Sequence, residues 1–468
     1  MNPLLWPEYS VLLGVLACLA AVMALGTKRS AEYPVSIVAL VASAVFTVHG
    51  WSGHQSPVAL YGQTVIIDNF SVAVDGLVIL AAAASILLGW NERRSGTDFP
   101  ALVLLAALGM MVLGAANSFL VLFLGIELLS LPLYILAASP GTSASGEAGL
   151  KYLLLGAFSS GILLFGLALL YGGSGTMIFT AIGPAHTIAP LVAAGSALTL
   201  VGLIFKLGVV PFHMWVPDVY EGSSMPVAHF MAFGTKVGAA AILMRFLFFG
   251  FYLSPGVWGP LIGYLGVLTM IVGNLMALPQ NDLKRLLAYS GIGNAGYLLI
   301  GLASHNVTGA EAMLFYLLPY GFAVMGAFAV VTMVAGERSS ISVKDLAGLS
   351  SRSPALSAFF VVAMLSLAGI PLTGGFVGKF YLLQAALFAN QPGLAVGLVL
   401  ATLVGMGAYL RPLLASFGHP AQSLEPIVWP WGGALVLAVA TLGTIGLGVY
   451  PAPIVQIVSH SANFFWLH

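Results

Sequence analysis

The chain alternates between long apolar segments and short polar connections along almost its whole length. A segment of about 20 apolar residues is long enough to cross a bilayer as a helix, and such segments recur fourteen times. The pattern predicts an all-α bundle of about fourteen transmembrane helices in a single membrane domain, residues 1–468. The predicted spans are residues 9–26, 34–51, 70–90, 99–115, 117–138, 149–172, 188–215, 224–250, 254–279, 284–304, 308–335, 354–389, 393–416 and 427–450.

The basic residues test this count, because successive connections between spans must alternate between the two sides of the membrane. The even-numbered connections hold no Lys or Arg, and Arg245 near the end of the eighth span is the nearest. Since basic loops stay in the cytoplasm, both termini are predicted on the opposite face. The odd-numbered connections hold all of the following: Lys28, Arg29, Arg93, Arg94, Lys284, Arg285, Arg338, Lys344, Arg352 and Arg411.

The composition limits the class of protein further. Of the 468 residues, 60% are hydrophobic and 6% are charged, which excludes a soluble enzyme. The 15 basic and 15 acidic residues balance, so nucleic-acid binding has no electrostatic basis. Cys18 is the single cysteine, which excludes an intrachain disulfide and a multi-cysteine metal site. Residues 1–10 lack a basic region, so the first apolar run is predicted to be a retained helix.

Two of the predicted spans contain helix-breaking residues. The segment LGVVP (207–211) and the segment LAGIP (367–371) each place glycine and proline inside an apolar run. They lie five spans apart, so the two copies have opposite orientations in the membrane. A helix breaks at membrane depth only where protein or water covers the break, and paired breaks are typical of transporters with inverted repeats. The sequence therefore predicts two interrupted helices.

Lysines accompany both breaks and the span that follows the first one. Lys206 precedes the first break, Lys236 lies halfway along the eighth span, and Lys379 follows the second break. A lysine near the bilayer centre costs at least about 2.5–3.5 kcal/mol on insertion scales. We therefore interpret these three lysines as functional and expect them to form one hydrated line across the bundle.

Glu127 lies among leucines in the fifth span, and a buried carboxylate must be paired or neutral. One interpretation is a structural ion pair that locks two helices together. The other is a titratable partner for a lysine, with Glu127 within ion-pair reach of Lys206. In this second hypothesis an ionised Glu127 holds Lys206 charged, and withdrawal of Glu127 by a neighbouring subunit releases the proton.

Other ionisable residues are open to two interpretations each. His213 follows Lys206 by seven residues, and His229 precedes Lys236 by the same spacing, which is about two helical turns. Lys151 opens the sixth span, where an interfacial position competes with a functional one. His305 and Glu311 flank an outer loop, where either could be solvated or mark a proton exit.

The remaining polar residues point to no further chemistry. Asp68 and Asp75 bracket the start of the third span and are predicted to cap or pack, and Arg245 could anchor to headgroups. We find no phosphate-binding loop, no histidine pair at metal-ligand spacing and no nucleophile elbow. We therefore expect no cofactor or metal site in this chain.

Several segments resemble the antiporter-like membrane subunits of respiratory complex I, the NADH:quinone oxidoreductase. They are similar to that family from about Asp68 to Arg411, and two of them, KYLLLGAFSSG and VPDVYEG, are closest to its N-type branch. The segments are ELLSLPLYIL, KYLLLGAFSSG, FKLGVVPFHMWVPDVYEG, NDLKRLLAYS and LSLAGIPLTGGFVGKFYLL.

The resemblance implies a fold of fourteen helices with two inverted five-helix repeats, residues 99–250 and 254–416, and interrupted seventh and twelfth helices. Family members often carry a histidine in the tenth helix, where this chain has Asn294. An amide cannot titrate, so a relay there must use water or another group, such as His305. The residues that match the family's functional positions are Glu127, Lys151, Lys206, His213, Lys236 and Lys379.

The function implied is proton translocation coupled to electron transfer in partner subunits. Those partners include further antiporter-like membrane subunits and a peripheral arm with the flavin, iron–sulfur clusters and quinone site. The expected location is a bacterial inner membrane. One alternative is a subunit of a multisubunit sodium/proton antiporter, which shares the fold. Another is an inert scaffold, against which the costly intramembrane lysines argue.

Overall fold

A computed structural model describes residues 2–25, 31–53, 57–90, 98–182, 188–250, 255–418, 427–462 and 465. The first nine helices are α1 Trp6–Leu25, α2 Glu32–Gly53, α3 Asn69–Gly89, α4 Phe99–Ala115, α5 Phe119–Ala138, α6 Ser143–Ser174, α7 Ala189–Leu207, α8 Trp215–Gly222 and α9 Met225–Arg245. The next nine are α10 Pro255–Ala277, α11 Leu283–Ala303, α12 Val307–Ala335, α13 Leu349–Arg352, α14 Pro354–Ala368, α15 Gly374–Phe388, α16 Pro392–Gly418, α17 Trp431–Val449 and α18 Ala452–Ala462.

These helices confirm the predicted fold class. Within the described ranges, 12 helices are long and apolar enough to cross a membrane. The apolar α4 and the interrupted pair α14 and α15 account for the two other predicted spans. The boundaries of the two five-helix repeats, residues 99–250 and 254–416, stay a prediction.

One short hairpin departs from the all-α expectation. Strands β1 Val58–Leu60 and β2 Val65–Ile67 pair antiparallel, with Val58 opposite Ile67. Too short to give a periodic signal, the hairpin lies in the connection before α3. Four of the basic residues used to predict the orientation lie outside the described residues: Lys28, Arg29, Arg93 and Arg94.

Several spans begin at a side chain that caps the helix. Such a side chain accepts a hydrogen bond from a backbone N–H that has no partner inside the helix. Asp68 caps α3 in this way by accepting from Ser71 N at 2.8 Å. Ser118, Thr142, Asp282 and Asn306 cap α5, α6, α11 and α12.

Asp68 also pairs with Arg245, at the far end of α9. Arg245 Nη1 lies 2.7 Å from Asp68 Oδ2, and both side chains are at most 2% exposed. The Arg245 Nε atom donates to the carbonyl of Gly114 at 2.9 Å. The interpretation of Arg245 as a headgroup anchor is therefore wrong, because its guanidinium is satisfied inside the bundle.

The helices differ in how far they are enclosed. Every residue in the most apolar 18-residue stretch of α11 is buried, and 89% of the residues in the corresponding stretch of α9 are buried. In contrast, α1, α2 and α6 are mostly exposed at their outer faces. Because hydrocarbon surrounds these faces in a membrane, their exposed leucines and valines are expected. The deepest positions of the fold therefore belong to α9 and α11.

Candidate functional site

The first break begins where α7 ends. Gly208 adopts a left-handed conformation with φ of +80°, which a residue with a Cβ adopts only at a cost. Its N–H donates to the carbonyls of Ile204 and Phe205, and the N–H of Val209 also reaches Ile204. This is the glycine-terminated helix end that satisfies backbone carbonyls as the chain turns away.

Side chains from other parts of the protein bond to further backbone groups at this break. Trp215 Nε1 donates to the carbonyl of Phe205 at 3.1 Å. The N–H of Val210 donates to Thr269 Oγ1 on α10 at 3.2 Å. Lys236 Nζ on α9 donates to the carbonyl of Leu207 at 3.2 Å. The interruption predicted from Gly208 and Pro211 is therefore present, and protein groups satisfy backbone atoms on both sides of it.

The second break repeats this arrangement. Gly369 ends α14 with φ of +80°, and the N–H of Ile370 donates to the carbonyl of Leu365 at 3.0 Å. Lys379 Nζ on α15 donates to the carbonyl of Leu367 at 2.7 Å. Gly208 and Gly369 are equivalent positions, because each ends its helix. Pro211 follows the first glycine by three residues and Pro371 follows the second by two, so aligning the two breaks on their prolines shifts them by one residue. At both breaks a lysine ammonium meets the negative end of a helix.

Lys206 occupies the last turn of α7 but points away from the break. Its Nζ donates to Ser130 Oγ on α5 at 2.8 Å and to the Tyr152 hydroxyl on α6 at 3.1 Å. The Tyr152 ring stacks on Trp215 at 4.5 Å, with the ring planes 8° apart. The stacked rings fix the hydroxyl that holds Lys206. Lys206, Lys236 and Lys379 are each at most 6% exposed.

Glu127 does not contact Lys206 directly, contrary to the expected ion pair. Its Oε1 accepts a hydrogen bond from Ser160 Oγ on α6 at 2.6 Å, and Glu127 is half-buried. Ser130, three residues further along the same face of α5, occupies the position beside Lys206. The relative rotation of α5 and α7 decides this, and sequence spacing does not specify it.

A small cavity lies between Lys206 and the serines of α6. Its lining includes Ser130, Ser159, Ser160 and Lys206. Its volume of about 10 Å³ is close to the minimum for one water molecule. Ser160 thus lines the same cavity as Lys206 and bonds to Glu127.

Two further candidate site residues lie away from the three buried lysines. Lys151 forms ion pairs with Glu147 at 2.7 Å and with Asp218 at 2.9 Å, and its side chain is 42% exposed. His213 lies in the irregular segment after α7 and is half-buried. Because α7 ends at Leu207, the helical spacing that would place His213 beside Lys206 does not apply.

Asp218 on α8 is the centre of an ion-pair network at one end of the bundle. Besides Lys151 on α6, it contacts Arg285 on α11, with Arg285 Nη1 2.7 Å from Asp218 Oδ1 and also 2.7 Å from Glu221 Oε2. Partial burial alone would raise the pKa of Asp218, but the hydrogen bonds from Arg285 and Lys151 outweigh it and hold that pKa below its ordinary value. The network joins α6, α8 and α11.

His229 on α9 is completely buried, and neither ring nitrogen has a hydrogen-bond partner. Its ring packs against Phe328 at 6.1 Å. His305 lies at the end of α11, between Phe248 at 5.3 Å and Trp258 at 5.0 Å. Eleven residues separate it from Asn294, which is roughly 16 Å along a helix. His305 therefore cannot substitute for a titratable group at Asn294.

Apart from Asn294, the polar residues between Lys236 and Lys379 were not anticipated from the sequence. Six buried polar side chains fill this region: Ser290, Asn294, Tyr297, Tyr316, Tyr320 and Tyr409. The signal that could have found them is the spacing of four residues between Ser290 and Asn294 and between Tyr316 and Tyr320. That spacing places polar groups on one face of a helix.

A membrane bundle with two interrupted spans and a buried lysine at each break is the architecture of a protein that moves ions across a membrane. A family model described as NADH:quinone oxidoreductase/Mrp antiporter, transmembrane, matches residues 116–405. The chain belongs to this family.

Individual relatives agree with this assignment. NADH-quinone oxidoreductase subunit N of Trichlorobacter lovleyi is 39% identical over 446 residues, 92% of this chain and 90% of the relative. A chain of respiratory complex I from Thermus thermophilus is 34% identical and superposes with a TM-score of 0.84, covering 97% of this chain and 99% of that one. A chain of the Mrp complex from Dietzia sp. has a TM-score of 0.87 at 21% identity, covering 100% and 98%, which is a likeness of fold alone.

Proposed function

We propose that this chain is the N-type proton-translocating subunit of an NADH:quinone oxidoreductase. The observation that carries this proposal is the set of three buried lysines, Lys206, Lys236 and Lys379, each held by hydroxyls or helix-end carbonyls inside an apolar bundle. Relatives at 39% identity bear the name of that subunit. The antiporter alternative has support at the level of the fold.

In this proposal each of the three lysines binds a proton and then releases it to the next group. An ammonium group is stabilised where it meets a helix C-terminus, as Lys236 and Lys379 do at the two breaks. Glu127 influences the charge on Lys206 through Ser160 and the small cavity between them, not through direct contact. Lys151 and His213 act at the edge of this system, where a proton could enter from solvent.

The subunit works within a larger membrane complex. Its neighbours are other membrane subunits, including further antiporter-like ones, and the flavin, iron–sulfur clusters and quinone site belong to partner subunits. The chain is a multi-pass membrane protein. We place it in a bacterial inner membrane, with both termini on the non-cytoplasmic side, because the basic residues of the loops fall on one side.

The test compares Glu127→Gln and Lys206→Ala with the matched control Lys344→Ala, which removes the charge of an exposed loop lysine. Each variant is measured for complex assembly, NADH:quinone electron transfer and proton pumping in inverted membrane vesicles. We expect the first two to assemble with impaired turnover or pumping, and the control to behave as the natural chain.

Two outcomes contradict the proposal. Normal pumping by both variants would exclude Glu127 and Lys206 from the proton path. Failure of both to assemble would assign them to a structural lock. Co-purification separates the rival functions, because flavin and iron–sulfur subunits accompany an oxidoreductase subunit, whereas a sodium/proton antiporter would bring only other multispanning subunits.

A further inference from the structure

Two carboxyl groups near the starts of α1 and α3 take no part in the candidate site. Glu8 on α1 is 7% exposed and Asp75 on α3 is 3% exposed. Among the described residues, Glu8 Oε2 and Asp75 Oδ1 have no hydrogen-bond partner. An ionised carboxylate without a partner is so costly in an apolar interior that the group takes up a proton instead. Each of these buried oxygens therefore needs a proton donor that the surrounding side chains do not supply.

Helix α4 fixes the depth of Glu8 in the bundle, because α4 packs against α1 and runs in the opposite direction. A Cβ added at Gly14 on α1 would lie 3.2 Å from Leu104 Cδ1 on α4. Glu8 precedes Gly14 by six residues, which is about 9 Å along a helix. Glu8 is therefore level with Met110, six residues beyond Leu104.

The same helix fixes the depth of Asp75, because α4 also packs against α3. A Cβ added at Gly114 would lie 2.9 Å from Val74 Cγ1 on α3. Asp75 follows Val74 directly, so it lies one residue below the level of Gly114. The depths of Glu8 and Asp75 along α4 therefore differ by three residues, or roughly 5 Å.

The electrostatics of Asp75 agree with this placement. The charge of Glu8 acts on Asp75 more strongly than that of Asp68 does, although Asp68 lies on the same helix, about two turns or 10 Å away. Within the described part of the chain, these are the two charges that act on Asp75. Asp68 is itself paired with Arg245 at 2.7 Å. Glu8 and Asp75 thus lie near each other, and the nearest cation is already engaged.

The other ionisable groups around the two carboxyl groups are bonded elsewhere or lie far from them. The Tyr9 hydroxyl, next to Glu8 in sequence, lies 3.2 Å from the Tyr61 hydroxyl. Helix α4 contains no ionisable side chain. The three buried lysines bond to hydroxyls and carbonyls at the two breaks and on α5 and α6. The ionisable side chains of α2 lie near its two ends: Glu32, Tyr33 and His49.

We infer that Glu8 and Asp75 form a proton-binding site, in which the protonated carboxyl group of one donates a hydrogen bond to the unpartnered oxygen of the other, directly or through one water. A protonated carboxyl has an O–H donor as well as acceptors, so one proton removes a charge and gives both oxygens a partner. Ordered water bridges groups that are too far apart for a direct hydrogen bond. The site lies apart from the three lysines, and the inference does not rest on the proposed function.

The bound proton ties α1 to α3. Without it, two carboxylates would repel each other, since like charges interact strongly where the surroundings exclude water. Helix α1 is among the least enclosed spans, whereas α3 is held by the pair of Asp68 and Arg245. Loss of the proton is therefore expected to loosen α1 first.

Infrared spectra of the assembled complex at neutral pH test the proton directly. The spectrum of the double variant Glu8→Gln with Asp75→Asn is subtracted from that of the natural complex. Both amides keep the shape and neutrality of a protonated acid, so we expect the double variant to assemble and to lose the C=O absorption of an un-ionised carboxyl group. Glu337→Gln, which removes an exposed carboxyl group, is the matched control and should lose carboxylate absorption alone.

Three results would overturn the inference. The first is a difference spectrum of the double variant that contains carboxylate absorption only. The second is a carboxylate absorption that changes when choline replaces sodium in the buffer, because it would assign a metal cation in place of the proton. The third is failure of the double variant to assemble, which would show that ionised carboxylates are required.

Hydrogen exchange in Trp6–Leu25 tests the tie between α1 and α3. The natural complex and Asp75→Asn are compared at the same pH, so that the intrinsic effect of pH on exchange cancels. We expect equal exchange at neutral pH and several-fold faster exchange in the natural complex at alkaline pH, where the proton leaves. Equal exchange at every pH would overturn the tie. We also expect the double variant to pump protons at the natural rate, and slower pumping would overturn the separation of this site from the lysines.

Discussion

A charge carried into the interior of a membrane bundle is costly unless a partner offsets it. Arg245 and Asp68 are the clearest example, with both side chains almost fully buried and 2.7 Å apart. The pair joins the end of α9 to the start of α3. Removing one member of such a pair leaves a buried charge without its counter-charge, whereas removing both does not.

We predict that Arg245→Met destabilises the protein by about 3–5 kcal/mol, the usual cost of breaking a buried pair. The double variant Asp68→Asn with Arg245→Met should recover part of that loss, because asparagine still caps α3 but carries no charge. The thermal midpoint of the purified complex measures both. A double variant less stable than Arg245→Met would show that the pair's charge is not the cause.

At the scale of residues, sequence reasoning located the buried lysines but not their partners. Lys206, Lys236 and Lys379 stand out because a charge inside an apolar run is costly wherever the run spans the membrane. Whether Lys206 meets Glu127 or Ser130 depends on the rotation of α5 about its own axis. Tyr316 and Tyr320 went unnoticed because tyrosine in an apolar helix resembles ordinary core.

Among the elements, α6 and α7 approach each other closely through small residues. A Cβ added at Gly166 on α6 would lie 2.5 Å from the Thr199 backbone nitrogen on α7, closer than real contacts allow. Five residues earlier, a Cβ at Gly161 would meet nothing within 4 Å. Small residues of this kind let membrane helices pack backbone to backbone.

Gly166→Ala and Gly161→Ala should therefore have opposite effects on stability. We expect Gly166→Ala to cost about 1–3 kcal/mol, since an overpacked contact forces the backbones apart. Gly161→Ala should be neutral or stabilising by up to about 1 kcal/mol, because alanine favours a helix. Thermal unfolding of the assembled complex compares them, and equal midpoints would contradict the close approach of α6 and α7.

The elements themselves were largely predictable. Hydropathy located the spans, and the glycine and proline signals located both breaks, because unpaired backbone groups are so costly in hydrocarbon. The precise ends of the interrupted helices were not predictable from proline. Gly208 and Gly369, which take the left-handed conformation, end α7 and α14, and the prolines follow two or three residues later.

Across the whole molecule, Asp218 links parts of the chain that are distant in sequence. It holds Lys151 of α6 on one side and Arg285 of α11 on the other. The short helix α8 is thereby tied to a span within each of the two predicted repeats. A movement of α8 at the first break must therefore break or stretch ion pairs to both predicted repeats.

Asp218→Asn should loosen this tie and change its pH dependence. The folded-state pKa of Asp218 lies below its ordinary value, so its stabilisation is complete above the unfolded pKa of about 3.9 and is lost as the pH falls through the folded value. We expect faster hydrogen exchange in Trp215–Gly222 at neutral pH, and weaker acid sensitivity of the thermal midpoint than in the natural chain. Glu147→Gln, which removes only an exposed partner of Lys151, serves as the control. A variant with unchanged exchange would contradict the role of Asp218.

The burial of α9 and α11 has a consequence for how the protein enters the membrane. Of the 12 helices long enough to span it, these two are the least apolar. A segment partitions into lipid according to its own side chains, so the bilayer itself favours α9 and α11 less than the other ten of these helices. Their insertion must then rely on more hydrophobic neighbours, such as α3, α10 and α12, that shield their polar groups from lipid. The two helices that carry Lys236 and Asn294 are therefore held in the membrane by protein more than by lipid, and we expect a defect in the surrounding helices to disturb these two first.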